Sequence, residues 1–245
     1  MQDAKKQDFN ANEDAQYREF KRAKRIEEAK ASLLKIESDC LSPFIDKAAL
    51  KDLCRAANSA EIGAIIVPPS LVKGCVAFLG KDPKVSLIAA VSYPYGNEVT
   101  EVKAAAVKRA VRDGVDEIEV CAPTPFIKDG NWAYVKREFK KLKKAAKTYA
   151  LRIVFDCSLI GEKELLKACI LAGEAGVNCL RLNNADGEMI SKVKAALKGK
   201  CSLKAEKADS AVAFGNLVVM GADVVGCTSA VELANYLIKE AEADN

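Results

Sequence analysis

Apolar residues along the chain alternate between two spacings. Short, β-branched runs occur at LLKIES (33–38), AIIVP (64–68), VSLIAAVSY (85–93), DEIEVCA (116–122), RIVFDCS (152–158), VNCLRLN (177–183), CSLKAE (201–206) and ADVVGCT (222–228), the first being the weakest. They are continuous rather than alternating, which predicts strands buried on both faces, as in a parallel sheet. Between them, apolar residues recur at three- and four-residue steps, the helical period. Segment 131–149 puts Trp132, Val135, Phe139, Leu142 and Ala146 on one stripe, opposite Lys136, Arg137, Lys140, Lys141 and Lys144. Segment 98–113 turns Val99, Val102, Ala106 and Ala110 inward, and a last helix from Ser229 uses Val231, Ala234 and Leu237. Gly114, Gly176 and Gly221 each stand between a helix and a strand, where a left-handed C′ residue is expected.

Strands and helices in alternation with short connections imply right-handed βαβ units. About eight such units in one chain predict closure into a (β/α)8 TIM barrel. No glycine-rich dinucleotide fingerprint follows an early strand, which weighs against an open doubly wound sheet. Residues 1–32 read as a charged helical extension, with its helix from about 14 to 32, and residues 33–245 as the barrel.

Composition narrows the chemistry. The 245 residues are half hydrophobic and 29% charged, as in a globular domain. No apolar run approaches the ~20 residues of a membrane span, and the polar amino terminus has no secretory apolar region, so a cytoplasmic location is expected. The nine cysteines are scattered without a CxxC pair, which predicts no disulfide framework and no zinc site. Histidine is absent. That excludes Ser–His–Asp and Cys–His nucleophiles and any His-based metal centre. Neither metal nor cofactor is expected. The net charge is +4. The basic residues Arg18, Lys21, Arg22, Lys24 and Arg25 are interleaved with Glu19, Glu27 and Glu28, which reads as a solvated helix face and not a nucleic-acid surface.

In a TIM barrel, chemistry sits at the carboxyl ends of the strands. Those positions carry Glu37 and Asp39, Tyr93, Glu117 and Glu119, Asp156, Arg181 with Asn183 and Asn184, Lys204 with Glu206, and Thr228 with Ser229. A charge inside an apolar strand is costly unless paired. Glu119, Arg181 and Lys204 are such charges, and can neutralise one another if all point inward.

The stretch EVTEVKAAAVKRAVRDGVDEIEV (98–120) resembles the deoxyribose-phosphate aldolase family, and so do AIIVPPSLV (64–72), VSYPYGN (91–97) and IESDCLSP (36–43). The likeness extends over residues 33–240. It implies a class I aldolase ancestry, which works through a lysine Schiff base without metal. Carried over residue by residue, the strand-four proton-transfer carboxylate falls on Glu119 and the second lysine of the site on Lys204. The Schiff-base lysine, from a family segment reading FIKTSTG, falls on Arg181 in CLRLNNAD. Arginine stays protonated and cannot attack a carbonyl. The resemblance also implies a phosphate site on glycine-rich turns, represented here by Gly226, Thr228 and Ser229, with Lys207 and Asn184 nearby. Asn184-Ala185, followed by Asp186, stands for that family's Thr-Gly pair, and Glu206, Lys207 and Ala208 stand for its Gly-Gly turn. One like charge ~4 Å from a phosphate costs about 4 kcal/mol at an effective dielectric near 20.

Two functions are compatible with these residues. In the first, the chain is a carbon–carbon lyase acting on a small aldehyde or sugar phosphate, with Lys204 as Schiff-base lysine, its pKa lowered by Arg181, and Glu119 moving the proton. In the second, the barrel is catalytically inactive and serves as a ligand-binding, scaffold or partner subunit. The partners expected are a small carbonyl or sugar-phosphate ligand and a second copy of the chain in a homodimer.

Overall fold

The structure, a computed structural model, describes the backbone of residues 2–243 and the side chains of residues 16–243. Eight parallel strands close on themselves in sequence order: β1 (Ile36–Asp39), β2 (Ala64–Val67), β3 (Ser86–Val91), β4 (Glu117–Cys121), β5 (Ala150–Asp156), β6 (Cys179–Asn183), β7 (Ser202–Ala208) and β8 (Val224–Cys227). Each apolar run overlaps its strand, and β1, β5 and β7 extend one or two residues beyond theirs. β8 returns to β1 with Glu37 level with Gly226, which completes the barrel.

The helices are α1 (Gln2–Leu33), α2 (Lys47–Ser59), α3 (Val72–Leu79), α4 (Thr100–Asp113), α5 (Thr124–Lys128), α6 (Trp132–Ala146), α7 (Glu162–Glu174), α8 (Gly187–Leu197), α9 (Ala211–Val219) and α10 (Ala230–Glu242). Gly114, Gly176 and Gly221 all take positive φ at the helix exits, as their placement required. No helix among the described residues is long and apolar enough to cross a membrane.

α1 starts well before the expected residue 14 and lies along α10. Arg22 Nε donates to Glu242 O at 3.1 Å and Arg25 to the carbonyls of Ala241 and Ala243 at 3.4 and 2.9 Å. Two of the basic residues of the extension thus satisfy the orphan carbonyls at the end of α10.

The expected inner face of α4 holds only in part. Ala110 is buried and Ala106 packs against the core, but Val99 and Val102 are 59% and 52% exposed, and Thr100, Lys103, Ala104 and Val107 are buried in their place. Lys103 Nζ donates to Glu138 Oε1 of α6 at 2.8 Å and to Cys121 O at 3.0 Å, while Thr100 Oγ1 donates to Glu138 Oε2 at 2.7 Å. A fully satisfied polar pair can stand where hydrophobic periodicity looks for apolar side chains.

At the amino-terminal end, Gly63 lets the chain entering β2 pack closely against the segment that leads into β1. Its N–H donates to Leu33 O and Ile36 O at 3.0 and 2.9 Å, and a Cβ there would lie 2.3 Å from Leu34 O. Backbone cannot yield as a flexible side chain does. Gly63→Ala is therefore expected to cost roughly 1–3 kcal/mol, read as a lower midpoint in urea with an unchanged slope.

Candidate functional site

Residues level with one another around the barrel point the same way, so the register fixes what meets inside. On the β2–β3 side the interior is apolar, filled by Ala64, Ile66, Ile88 and Ala90. The rest is ionic. Glu37, Asp39, Glu119, Arg152, Arg181, Lys204 and Glu206 project inward from β1 and β4–β7 and form one connected network.

Lys204 is at its centre and is fully buried. Its Nζ lies 2.9 Å from Glu37 Oε2, 3.0 Å from Glu206 Oε1, 3.5 Å from Asp39 Oδ1 and 3.6 Å from Glu119 Oε1. Burial alone would lower the lysine pKa, but Asp39, Glu119 and Glu37 outweigh it and raise the pKa above its ordinary value, despite the opposing Arg181. The expected depression of Lys204 by Arg181 is thus overturned. The arginine is one neighbour among four carboxylates.

Arg181 lies one strand away, level with Lys204. Nη1 donates to Glu119 Oε2 at 2.9 Å and to Asp39 Oδ1 at 3.2 Å, Nη2 pairs with Asp39 Oδ2, and Nε donates to Asn183 Oδ1 at 2.9 Å. Glu206 Oε1 is 3.3 Å from Nε. The guanidinium is held as a buried cation, its pKa raised by Glu119, Asp39 and Glu206 against the desolvation that opposes them. Burial pushes Glu119 up, yet Lys204, Arg181 and Arg152 more than reverse this and hold its carboxyl down to about 2. Such a carboxylate is a weak proton acceptor at neutral pH.

Arg152 was not singled out in the sequence, where it reads as the first residue of an apolar run. It donates to Glu37 Oε1 and Glu117 Oε2, each at 2.7 Å. Glu117 is therefore no carboxyl-end residue. It opens β4 and belongs to the opposite mouth of the barrel. Arg152 shares its strand face with Asp156, four residues on, and that period-two spacing is the signal that could have found it.

Above the network lies a cavity of about 490 Å³ at the carboxyl ends of the strands. Asp39, Arg181 and Glu206 line it, whereas Lys204 and Glu119 do not reach it. Tyr93, Asp156, Asn183, Asn184, Lys207 and Thr228 form its walls. The face of Tyr93 is 5.9 Å from the Arg181 guanidinium. Asn184, in the left-handed region, donates to Asp156 Oδ1 at 2.9 Å.

The remaining candidate anion-site residues are brought together only in part. Gly226 lies under Glu206, because a Cβ at 226 would be 2.1 Å from both carboxylate oxygens. Ser229 takes the N-cap position of α10 without a side-chain cap bond and faces a separate outer depression, not the cavity. Thr228 and Lys207 do line the cavity. Of the two acids expected near a phosphate, Asp186 turns away and caps α8 through Met189 N at 2.7 Å, while Glu206 turns in.

The profile of the DeoC/LacD family aldolases matches residues 24–225. The chain belongs to that family. It is 29% identical over 208 residues to the deoxyribose-phosphate aldolase of Mycoplasma capricolum subsp. capricolum, covering 81% of this chain and 92% of that one. It is 33% identical over 150 residues to the deoxyribose-phosphate aldolase of Clostridium botulinum, covering 58% and 70%. The solved aldolase QR15 superposes with a TM-score of 0.80 at 21% identity, over 85% of this chain and 96% of that one. The barrel is thus a DeoC/LacD aldolase fold, from a family of lyases, with an ion network at the heart of its interior.

Proposed function

We propose that this member of the DeoC/LacD family has given up Schiff-base chemistry at its barrel centre and works as a ligand-binding barrel. Arg181 takes the position of the attacking amine, as the resemblance implies, and a guanidinium forms no imine. Lys204 cannot replace it. An attacking amine must be neutral and must reach the carbonyl carbon. The observation that carries this reading is the state of Lys204. Its amine is fully buried, faces four carboxylates within 3.6 Å, and lies below a floor of Asp39, Arg181 and Glu206. Glu119, held ionised by three cations, supports the same conclusion for proton transfer.

The test is reductive trapping. The full chain is incubated with acetaldehyde and borohydride, then digested and mapped by mass spectrometry, with cleavage of deoxyribose 5-phosphate assayed in parallel. Ethylation confined to solvent-facing lysines, with no cleavage above a protein blank, is the expected result. An adduct on Lys204, or cleavage at a rate ordinary for an enzyme, overturns the proposal.

A further inference from the structure

The outer faces of α4 and α6 carry a positive charge that nothing in the barrel neutralises. Lys103 and Glu138 cancel each other where the two helices meet. Outside that buried pair, α4 and α6 hold nine basic residues and two acidic ones, Glu101 and Asp113. Their excess of seven is larger than the +4 of the whole chain, so the remainder of the molecule is net acidic. Both acids are engaged. Glu101 pairs with Lys141, and Asp113 accepts from Arg109 Nε at 2.6 Å. Lys143 donates to Asn178 Oδ1 at 2.7 Å, and Arg137 lies 5.3 Å from the centre of the Tyr134 ring. Lys108, Arg112, Lys136, Lys140 and Lys144 are exposed and have neither an ion pair nor a side-chain hydrogen bond among the described residues.

These cations border a groove. About 540 Å³ of open space lies between α4 and α6, walled by Lys108, Lys140, Lys141 and Lys144, with the buried Ala104 and Ala145 at its floor. Lys136, Lys140 and Lys144 follow one another at four-residue steps, a ladder of ~12 Å along α6. Like charges at that spacing destabilise a helix. A ligand with closely spaced negative charges would relieve the repulsion.

The residue types narrow the class of that ligand. Protein–protein interfaces are depleted of lysine and take aromatic residues at their core, and no aromatic side chain lines this groove. A membrane-binding face sets large apolar side chains beside its basic ones. Those of α6, Val135, Phe139 and Leu142, are buried, and the exposed Val99 and Val102 lie outside the groove. Single-stranded nucleic acid is held by stacking its bases on aromatic rings, which the groove also lacks. Lysines without any other recognition group suit a densely charged duplex backbone, where neutralised phosphates release counterions.

We propose that the α4–α6 groove and its lysine ladder bind the phosphate backbone of a duplex nucleic acid without reading its bases. The surface lies on the outside of the barrel, and neither it nor the ligand-binding reading of the interior depends on the other.

The full chain is titrated, by fluorescence anisotropy, into a labelled DNA duplex of about 20 base pairs at 50–200 mM NaCl. With four or five phosphates neutralised, log Kd should rise against log salt with a slope of about 4, a weakening of roughly 100- to 500-fold over that range. Two duplexes of unrelated sequence should bind equally. Lys140→Gln combined with Lys144→Gln removes two contacts. It should lower the slope by about 2 and weaken binding roughly ten- to a hundredfold at the lowest salt. Lys47→Gln combined with Lys51→Gln removes the same charge from exposed positions of α2 and should leave the slope unchanged. No binding at the lowest salt, a slope unmoved by the groove substitutions, or an equal effect of the α2 pair overturns the proposal. So does tighter binding to a single strand of equal length, to polyglutamate or to phosphatidylserine vesicles.

Discussion

Lys204→Met destabilises the barrel by roughly 3–5 kcal/mol at pH 7, the cost of leaving buried charges without their partner. For a chain of this size that is a fall in Tm of roughly 6–20 °C. Methionine matches the lysine stem in length and fills the same volume, so packing is not what is lost. Glu37, Asp39, Glu119 and Glu206 would instead face one another around an apolar side chain. The pH dependence separates this cause from any other. In the parent chain Glu119 is held down to about 2, so its ionised form stabilises the fold above the unfolded carboxylate range and that contribution is lost as the pH falls towards 2. In the variant the carboxylates lose their cation and take up protons at higher pH, which relieves their repulsion. The gap between parent and variant should therefore narrow as the pH is lowered from 7 to 4. A gap that stays constant across that range would mean that Lys204 stabilises through packing and not through charge.

Arg181→Met is expected to have an effect of the same order, roughly 3–5 kcal/mol, because Asp39 and Glu119 lose a bidentate partner in a buried setting. Arg181→Lys is the informative contrast. It keeps the charge, gives up the fork geometry, and should cost roughly 1–3 kcal/mol. On the proposed reading it also places an amine at the position to which the resemblance assigns the family's nucleophile, and it should still fail to form an imine. The new ammonium would face Asp39, Glu119 and Glu206, and should be held protonated by its acids as Asp39, Glu119 and Glu37 hold Lys204. Borohydride trapping of Arg181→Lys with acetaldehyde checks this. A strong adduct at that position would show that arginine alone silences the centre and that the surrounding acids do not.

Both predictions treat the interior as a unit. Removal of one member leaves the others buried and unmatched, so single substitutions are expected to be strongly non-additive. Lys204→Met combined with Glu37→Gln should be milder than Lys204→Met alone.

The strands, the order of helices and the closure of the barrel were legible in the chain because they rest on periodicity. The run RIVFDCS overlaps β5 as its continuous apolar pattern predicts, and Gly114 ends a helix in the left-handed conformation that suits glycine. The family likeness was legible in 98–120 for a related reason, being local sequence. Pairwise neutralisation was foreseen for Glu119, Arg181 and Lys204 because each is a charge in an apolar strand. What the chain did not disclose was who else joined them. Arg152 and Glu37 reach the same interior from β5 and β1, 115 residues apart, and a one-residue change of register would turn either to the other face. The protonation state of Lys204 depends on that company, and so does the inward turn of Glu206 over Gly226. The same limit misplaced part of the inner face of α4, where Lys103 is buried only because Glu138 of α6 meets it. Sequence by itself therefore determined the barrel and the identity of its charged strand residues, since both follow from local pattern. The tertiary structure alone decided which charges meet, because energies of buried charges depend on distances that no neighbouring residue in the chain sets.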